Sequence, residues 1–263
     1  MSTFPIMVAN RAIKLVGNIV KTLSYPFHFV FPKARFTIPE YSPAKVRSKK
    51  TAGITKVIWQ TNYSNKSTLP VYINYLFNRL MSLDYEYRYV STEGRAEYLK
   101  EHASKEVYQS YIKLTDGAAQ ADLWRLAVLS NEGGIYMDID ATLVWPLKKI
   151  LKNISPALYI KIKNNTEFTN YFLATIPNNP EFQQAVDIVV DNIENYDDKE
   201  RVKGVFDTTG PMVINRVLEK KKANSRDRNY VCIQGAFTNE HFQYLDKPRG
   251  KWTHLNPDDL VKK

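Results

Sequence analysis

Two aspartates, Asp138 and Asp140, stand either side of Ile139 at the end of an apolar run that follows Gly133-Gly134. Carboxylate oxygens are the ligands preferred by hard cations such as Mg²⁺ and Mn²⁺, which keep coordination positions for phosphate and water. In an extended strand, residues i and i+2 face the same way, so the pair would converge on one ligand. A bend after Asp138 would instead send one carboxylate to a metal and the other to a neighbouring hydroxyl. Taken alone, D-x-D is a weak signal, because acidic pairs at strand ends are common. Upstream, Asp122 and Arg125 are spaced i and i+3, on one face of a helix. An arginine so placed suits a charge-assisted clamp on a diphosphate, with the aspartate orienting it or accepting from a sugar hydroxyl. The plainer reading is a surface ion pair, worth about 0–1 kcal/mol.

The elements that would position these groups are marked in the chain. Residues 118–130 form the body of a helix, capped by Thr115 or Asp116 and stopped by Gly133-Gly134. IYMDID (135–140) then predicts a strand with the aspartates at its carboxyl end, where ligands bind in open α/β sheets. Earlier, ITKVIWQT (54–61) reads as a buried parallel strand, LPVYINYLFNRLMSL (69–83) as a helix and YEYRYVS (85–91) as an alternating strand. Strand, helix and strand predict a βαβ unit. ALYIKIKN (157–164) predicts a strand, 170–193 a short strand and a helix, and DTTGPMVINRVL (207–218) a turn entering a helix. YVCIQGAF (230–237) reads as a late strand and the tail from Lys247 as loop. The order is mixed, so the expected fold class is α/β, a Rossmann-like mixed central sheet with flanking helices.

With 263 residues, 44% of them hydrophobic, the chain suits one large α/β domain or a domain with an appendage. A net charge of +10 favours a polyanionic partner: nucleic acid, an anionic membrane surface or a phosphorylated substrate. No nucleic-acid-binding motif appears and the aromatics fall at core spacing, so no nucleic-acid partner is expected. Cys232 is the only cysteine, which excludes an intrachain disulfide and a Cys-based metal site. Residues 4–31 mix Ile6, Val8, Ile13, Val16 and Ile19 with Arg11, Lys14 and Lys21. Their longest charge-free stretch is too short and proline-broken for a spanning helix, which needs about 20 residues, and no signal-peptide cleavage site follows. Two readings stay open: a basic amphipathic helix on an anionic membrane, or a helix packed on the protein's own domain. Residues 33–53 read as a linker or surface strap. The expected division is therefore 1–50, N-terminal segment and linker, and 51–263, catalytic domain.

A-x-x-A-D-x-x-R (118–125), running through G-G-I-Y-x-D-x-D (133–140), resembles the DXD sugar-binding region of glycosyltransferase family 32. That family includes fungal initiating α-1,6-mannosyltransferases and bacterial capsule and lipooligosaccharide transferases; the glucosylating clostridial toxins share a similar block. ITKVIWQT, NYFLATIPNNPEF and TTGPMVINRVL resemble further segments of the family, so the resemblance covers residues 54 to about 218. It implies a GT-A fold, a UDP- or GDP-sugar donor, Mn²⁺ or Mg²⁺, and transfer with retention of anomeric configuration. By the same resemblance Asp140 is the direct metal ligand, and Asp138 contacts the donor and helps hold the metal. Asp122 and Arg125 face the donor sugar and diphosphate. Trp59 and Gln60 lie beside the nucleobase, while Asn170 and Thr209-Gly210-Pro211 border the sugar and acceptor cleft. The third metal ligand comes from NEHFQYLDKPRGKWTH, where the family's pattern is not kept: His241 and His254 are both candidates, and a related family's string favours His241. Lys251 then meets the β-phosphate and Trp252 closes over it. The acceptor is a surface glycan built on a lipid carrier, or a protein as with the toxins. The basic N-terminus favours a glycan or glycolipid acceptor, a hexosyltransferase of polysaccharide or lipooligosaccharide biosynthesis, peripheral on the cytoplasmic face of a bacterial membrane.

Two rival readings belong beside that one. IYMDIDATLVW by itself imitates the nucleophile strand of haloacid dehalogenase-like phosphatases, in which the first aspartate attacks phosphate and the second is an acid/base. About 80 residues of domain precede it here, and Asp258-Asp259 lies too near the terminus to supply their later acidic motif. The other rival is a membrane-associated binder of sugar nucleotides without turnover.

Overall fold

The computed structural model describes residues 3–47, 53–198, 202–248 and 250–262. Seven strands form one mixed sheet: β1 (Tyr41–Ser42), β2 (Val57–Thr61), β3 (Glu86–Val90), β4 (Gly134–Met137), β5 (Ala157–Ile162), β6 (Glu167–Thr175) and β7 (Ser225–Asp227). Across the sheet they lie in the order β7-β5-β6-β4-β2-β3-β1. β2 runs parallel to both β3 and β4, whereas β6 is antiparallel to β4 and β5. The helices that matter for the site are α1 (Phe4–Val30), α2 (Leu69–Met81), α3 (Gly117–Glu132), α4 (Pro180–Glu194) and α5 (Pro211–Leu218). The β2-α2-β3 unit is the βαβ unit expected from the sequence.

Pleating turns successive strand residues to opposite faces, and both faces are apolar. Ile58, Ile135, Leu158 and Phe172 join α2 in one core; their neighbours Trp59, Tyr136, Tyr159 and Leu173 join α3, α4 and α5 in the other. α3 is the central helix. Its N-terminal amides, Ala118 and Ala119, donate to the Asp116 carboxylate at 2.8 and 3.0 Å, and every residue from Ala121 to Ser130 is buried. Gly133 and Gly134 end it at φ +65° and +103°. A Cβ at Gly133 would lie 2.5 Å from the Pro177 nitrogen, and one at Gly134 would lie 2.8 Å from the Val57 carbonyl oxygen. Only glycine lets the chain reverse there and lay β4 directly against β2.

Several elements differ from expectation, each for a tertiary reason. The strand carrying the aspartates stops at Met137, and residues 138–140 form a turn. The late strand is only Cys232–Gln234, and it pairs outside the main sheet with Ala141–Leu143. Within the expected strap, Phe36–Thr37 pairs with Lys66–Ser67, and β1 extends the central sheet; residues 48–52 of that strap lie outside the described residues. The tail is not plain loop: it holds short helical turns at Trp252–His254 and Pro257–Asp259, and Val261 bridges to Leu114. Helices Thr92–His102 and Lys105–Lys113 fill a stretch that carries no distinct sequence signal.

The N-terminal segment is helical through Pro26 and packs on the protein itself along one stripe, Ile6, Asn10, Ile13, Gly17, Ser24 and His28. At Gly17 the approach is so close that a Cβ would sit 2.1 Å from the Ala236 carbonyl oxygen. Asn10 donates to the Asn229 carbonyl at 2.8 Å, and His28 accepts from the Leu69 amide at 3.0 Å. The open choice between membrane and domain is thus decided for one face of α1, which covers the segment around residues 229–242.

Candidate active site

The turn after β4 is held from three sides. The Ala141 amide closes it onto the Asp138 carbonyl at 3.0 Å, and the Asp138 amide donates to the Tyr171 carbonyl at 2.9 Å. From β2, Gln60 donates to the same Asp138 carbonyl at 3.0 Å, while its own oxygen accepts from Tyr87 at 2.9 Å. The two aspartates therefore do not alternate along a strand, yet their carboxylates still converge. The Gln234 amide nitrogen lies 3.4 Å from Asp138 Oδ2 and 3.3 Å from Asp140 Oδ1. They face a cleft of about 790 Å³ at the carboxyl end of β4, walled by α3, the start of α5 and late residues such as Gln234, Gln243, Tyr244 and Trp252.

Below the pair lies a buried polar cluster centred on Arg125. Its Nη2 is 3.1 Å from Asp122 Oδ1 and 3.3 Å from Asp138 Oδ1, and Nη1 donates to the Asn170 carbonyl at 2.9 Å. The guanidinium sits over the Tyr136 ring, 4.2 Å from its centroid, and the Tyr136 hydroxyl donates to Asp138 Oδ1 at 2.8 Å. Asp122 accepts from Asn170 Nδ2 and from Thr209 Oγ1, both at 3.0 Å. One arginine thus serves three nearby carboxylates, and burial does the rest. Burial, only partly offset by Arg125, pushes the Asp122 carboxyl up to about 7. Burial and the charge of Asp138 push Asp140 up to about 6, against hydrogen bonds from Gln243 and Gln234. Burial also raises Asp138, with Arg125 and Tyr136 pulling the other way.

The sequence-derived residues divide in space. Asp122, Arg125, Asp138, Asp140, Asn170, Gly210, Pro211, Lys251 and Trp252 line the cleft, and Thr209 reaches it through Asp122. Arg125 braces the cluster from within, at 7% side-chain exposure, rather than standing open to a ligand. Gln60 is buried behind the turn, where it positions Asp138. Trp59 does not reach the cleft. It packs edge-on against Trp124, donates to the Gly133 carbonyl at 3.0 Å and borders a separate hollow of about 520 Å³. His241 stacks on Tyr25 of α1, and neither it nor His254 lines the cleft. Lys251 pairs with Glu240 at 2.7 Å on the rim, beside Trp252.

Four further residues belong to the site. Tyr136 stood inside the G-G-I-Y motif without a role, and Gln234 and Gln243 put carboxamides where a histidine was expected. Lys21 of α1 reaches the cleft and donates to the Gly235 carbonyl at 2.8 Å. A polar residue ending the apolar string YVCIQ was the available signal for Gln234; nothing in the sequence marks Lys21. Among the described residues, no three His, Cys, Asp or Glu side chains are grouped to hold a metal. The donor set nevertheless suits Mg²⁺ or Mn²⁺. Two carboxylates converge on one carboxamide, and the remaining positions of a cation held there would go to a diphosphate and water.

Residues 70–156 match the family described as a glycosyltransferase sugar-binding region containing DXD motif, a span that includes all but the first residue of α2, the whole of α3 and β4, and both aspartates. A protein called Toxin from Photorhabdus asymbiotica subsp. asymbiotica is 30% identical over 128 residues, which are 46% of this chain and 4% of that protein. The chain therefore spans a small part of that relative's length. Among solved structures, PaToxG Glycosyltransferase superposes with a TM-score of 0.50 at 18% identity, covering 82% of this chain and 80% of that one. The ligand-free glycosyltransferase domain of the YGT toxin superposes more distantly, with a TM-score of 0.40 at 15% identity over 66% and 60% of the two chains. The fold is a GT-A-type mixed α/β fold. The matched DXD region is one that glycosyltransferases carry, and the fold is one that a glycosyltransferase shares.

Proposed function

We propose that the chain transfers a sugar from a nucleotide-sugar donor to an acceptor hydroxyl, with a divalent cation held by Asp138 and Asp140. The observation that carries this reading is the convergence of the two carboxylates at the mouth of the cleft, on a turn fixed by Gln60, Tyr171 and Arg125. A bound cation supplies charge neutralisation on the departing nucleoside diphosphate. Asp140 would hold the cation together with Asp138, whose Oδ1 is fixed by Tyr136 and Arg125. Lys247 and Lys251 on the rim add positive charge for the phosphates, and Trp252, 37% exposed, covers them. Residues 51–263 carry the catalytic groups, while the first 50 residues supply β1 to the central sheet and Lys21 to the cleft. Retention of configuration and membership of family 32 follow the sequence resemblance and are part of the proposal. So is a glycan or lipid-linked acceptor at the cytoplasmic face of a bacterial membrane. The resemblance to the glucosylating toxins leaves a second acceptor, a protein hydroxyl. Radiolabelled donor offered to lipid extract and to soluble protein in parallel separates the two.

Donor binding is tested by thermal shift with UDP- and GDP-sugars, with and without Mn²⁺. A ligand that binds only the folded state raises the melting temperature. A cation-dependent shift with one nucleotide family, lost in Asp140→Asn, is expected; no shift with any nucleotide sugar would defeat the proposal. The phosphatase reading has no support in the fold, which matches a glycosyltransferase, and a phosphoester hydrolysis assay with the same protein should be blank.

A further inference from the structure

α1 has two unlike faces, and only one of them is used by the fold. Opposite the buried stripe it turns Phe4, Val8, Leu15, Ile19, Leu23 and Phe29 to solvent, with Phe4 70%, Leu15 63% and Phe29 88% exposed. At 3.6 residues per turn these six fall within an arc of about 120°, centred opposite Ile6, Ile13 and Gly17. Soluble monomers rarely leave so large an apolar stripe open without a partner for it. The stripe is flanked by exposed Arg11 and Lys14, and exposed Lys33 follows the helix. No acidic residue occurs before Glu40, so the whole face carries charge of one sign. A second copy pairing through the same stripe would bring these cations against each other; an anionic surface answers both the charge and the apolar stripe. Among the described residues no helix is long and apolar enough to cross a membrane.

We propose that this face of α1 docks on an anionic lipid bilayer, the helix lying in the interface plane. The apolar stripe enters the boundary between headgroups and acyl chains, and Arg11, Lys14 and Lys33 meet the headgroups. Because the other face of α1 grips residues 229–242 and sends Lys21 into the cleft, docking also sets the height of Asp138 and Asp140 above the membrane. The proposal does not depend on sugar transfer and is measured without donor.

The test is co-sedimentation of the full chain with vesicles of phosphatidylcholine alone and with about 30% phosphatidylserine, at low and high salt. Binding to the anionic vesicles is expected to exceed binding to neutral ones by at least about tenfold and to weaken with salt. Leu15→Glu/Ile19→Glu and, separately, Arg11→Glu/Lys14→Glu should lose it at unchanged melting temperature. Leu80→Glu, which removes an equally exposed leucine on α2, should bind like the parent. Absence of vesicle binding, or binding unaltered in both double variants, would overturn the proposal. Concentration-dependent dimerisation that Leu15→Glu/Ile19→Glu abolishes, without vesicle binding, would assign the face to a second copy and overturn it equally.

Discussion

Arg125 joins α3, β4 and β6 at one point: it faces Asp122 on its own helix, Asp138 beyond β4 and the Asn170 carbonyl of β6. Removing it leaves buried carboxylates uncompensated, so Arg125→Met should cost about 3–5 kcal/mol in a denaturant titration. Asp140 is different, since its charge is a burden on the metal-free fold. Asp140→Asn should abolish transfer by about 100-fold or more while leaving the melting temperature without cation equal or higher. The same physics fixes a pH dependence. With folded values of about 7 for Asp122 and about 6 for Asp140, both above the ordinary carboxylate range, the folded state holds these protons more tightly than the unfolded chain. That contribution to stability is full below about pH 4 and is lost as pH rises through 6 to 7. Without cation, the protein should melt higher at about pH 5.5 than at about pH 8, and Mn²⁺ should narrow the gap because its binding displaces the protons. A higher melting temperature at the alkaline end would contradict the burial of these groups.

At the scale of elements, the sequence was most legible where local chemistry and tertiary role coincide. α3 was readable from its cap, its apolar body and its glycine stop, because all three are local. Gly134 is required by both φ and the Val57 carbonyl, so Gly134→Ala should destabilise by about 1–3 kcal/mol in chemical unfolding. The strand carrying the aspartates ends three residues short of its apolar sequence signal, since groups distant in sequence (the Gln60 and Asn74 carboxamides and the Tyr171 carbonyl among them) set where the chain turns. His241 stands off the cleft, stacked on Tyr25 of α1, an element far off in sequence. Trp59 likewise turned inward, because the face of β2 that carries it looks into the α3 core.

For the whole molecule, the βαβ half and the mixed sheet were legible in the order of apolar segments, whereas the joining of both chain ends into one wall was not. α1, the segment around residues 229–242 and the tail meet only in three dimensions. A side chain at Gly17 should therefore disturb more than α1 itself. Gly17→Ala must push the helix off the Ala236 carbonyl, and should lower both the melting temperature and the affinity for donor at the cleft that residues 234–243 help form. The proposed sugar transfer rests on cation-dependent chemistry at Asp138 and Asp140. Its most direct test is release of nucleoside diphosphate from a panel of UDP- and GDP-sugars, with Mn²⁺ and with chelator, for the parent chain beside Asp140→Asn. Release from one nucleotide family, only with the cation and lost in the variant, is the expected result. Release that persists in chelator and in Asp140→Asn, or none from any donor, would contradict it.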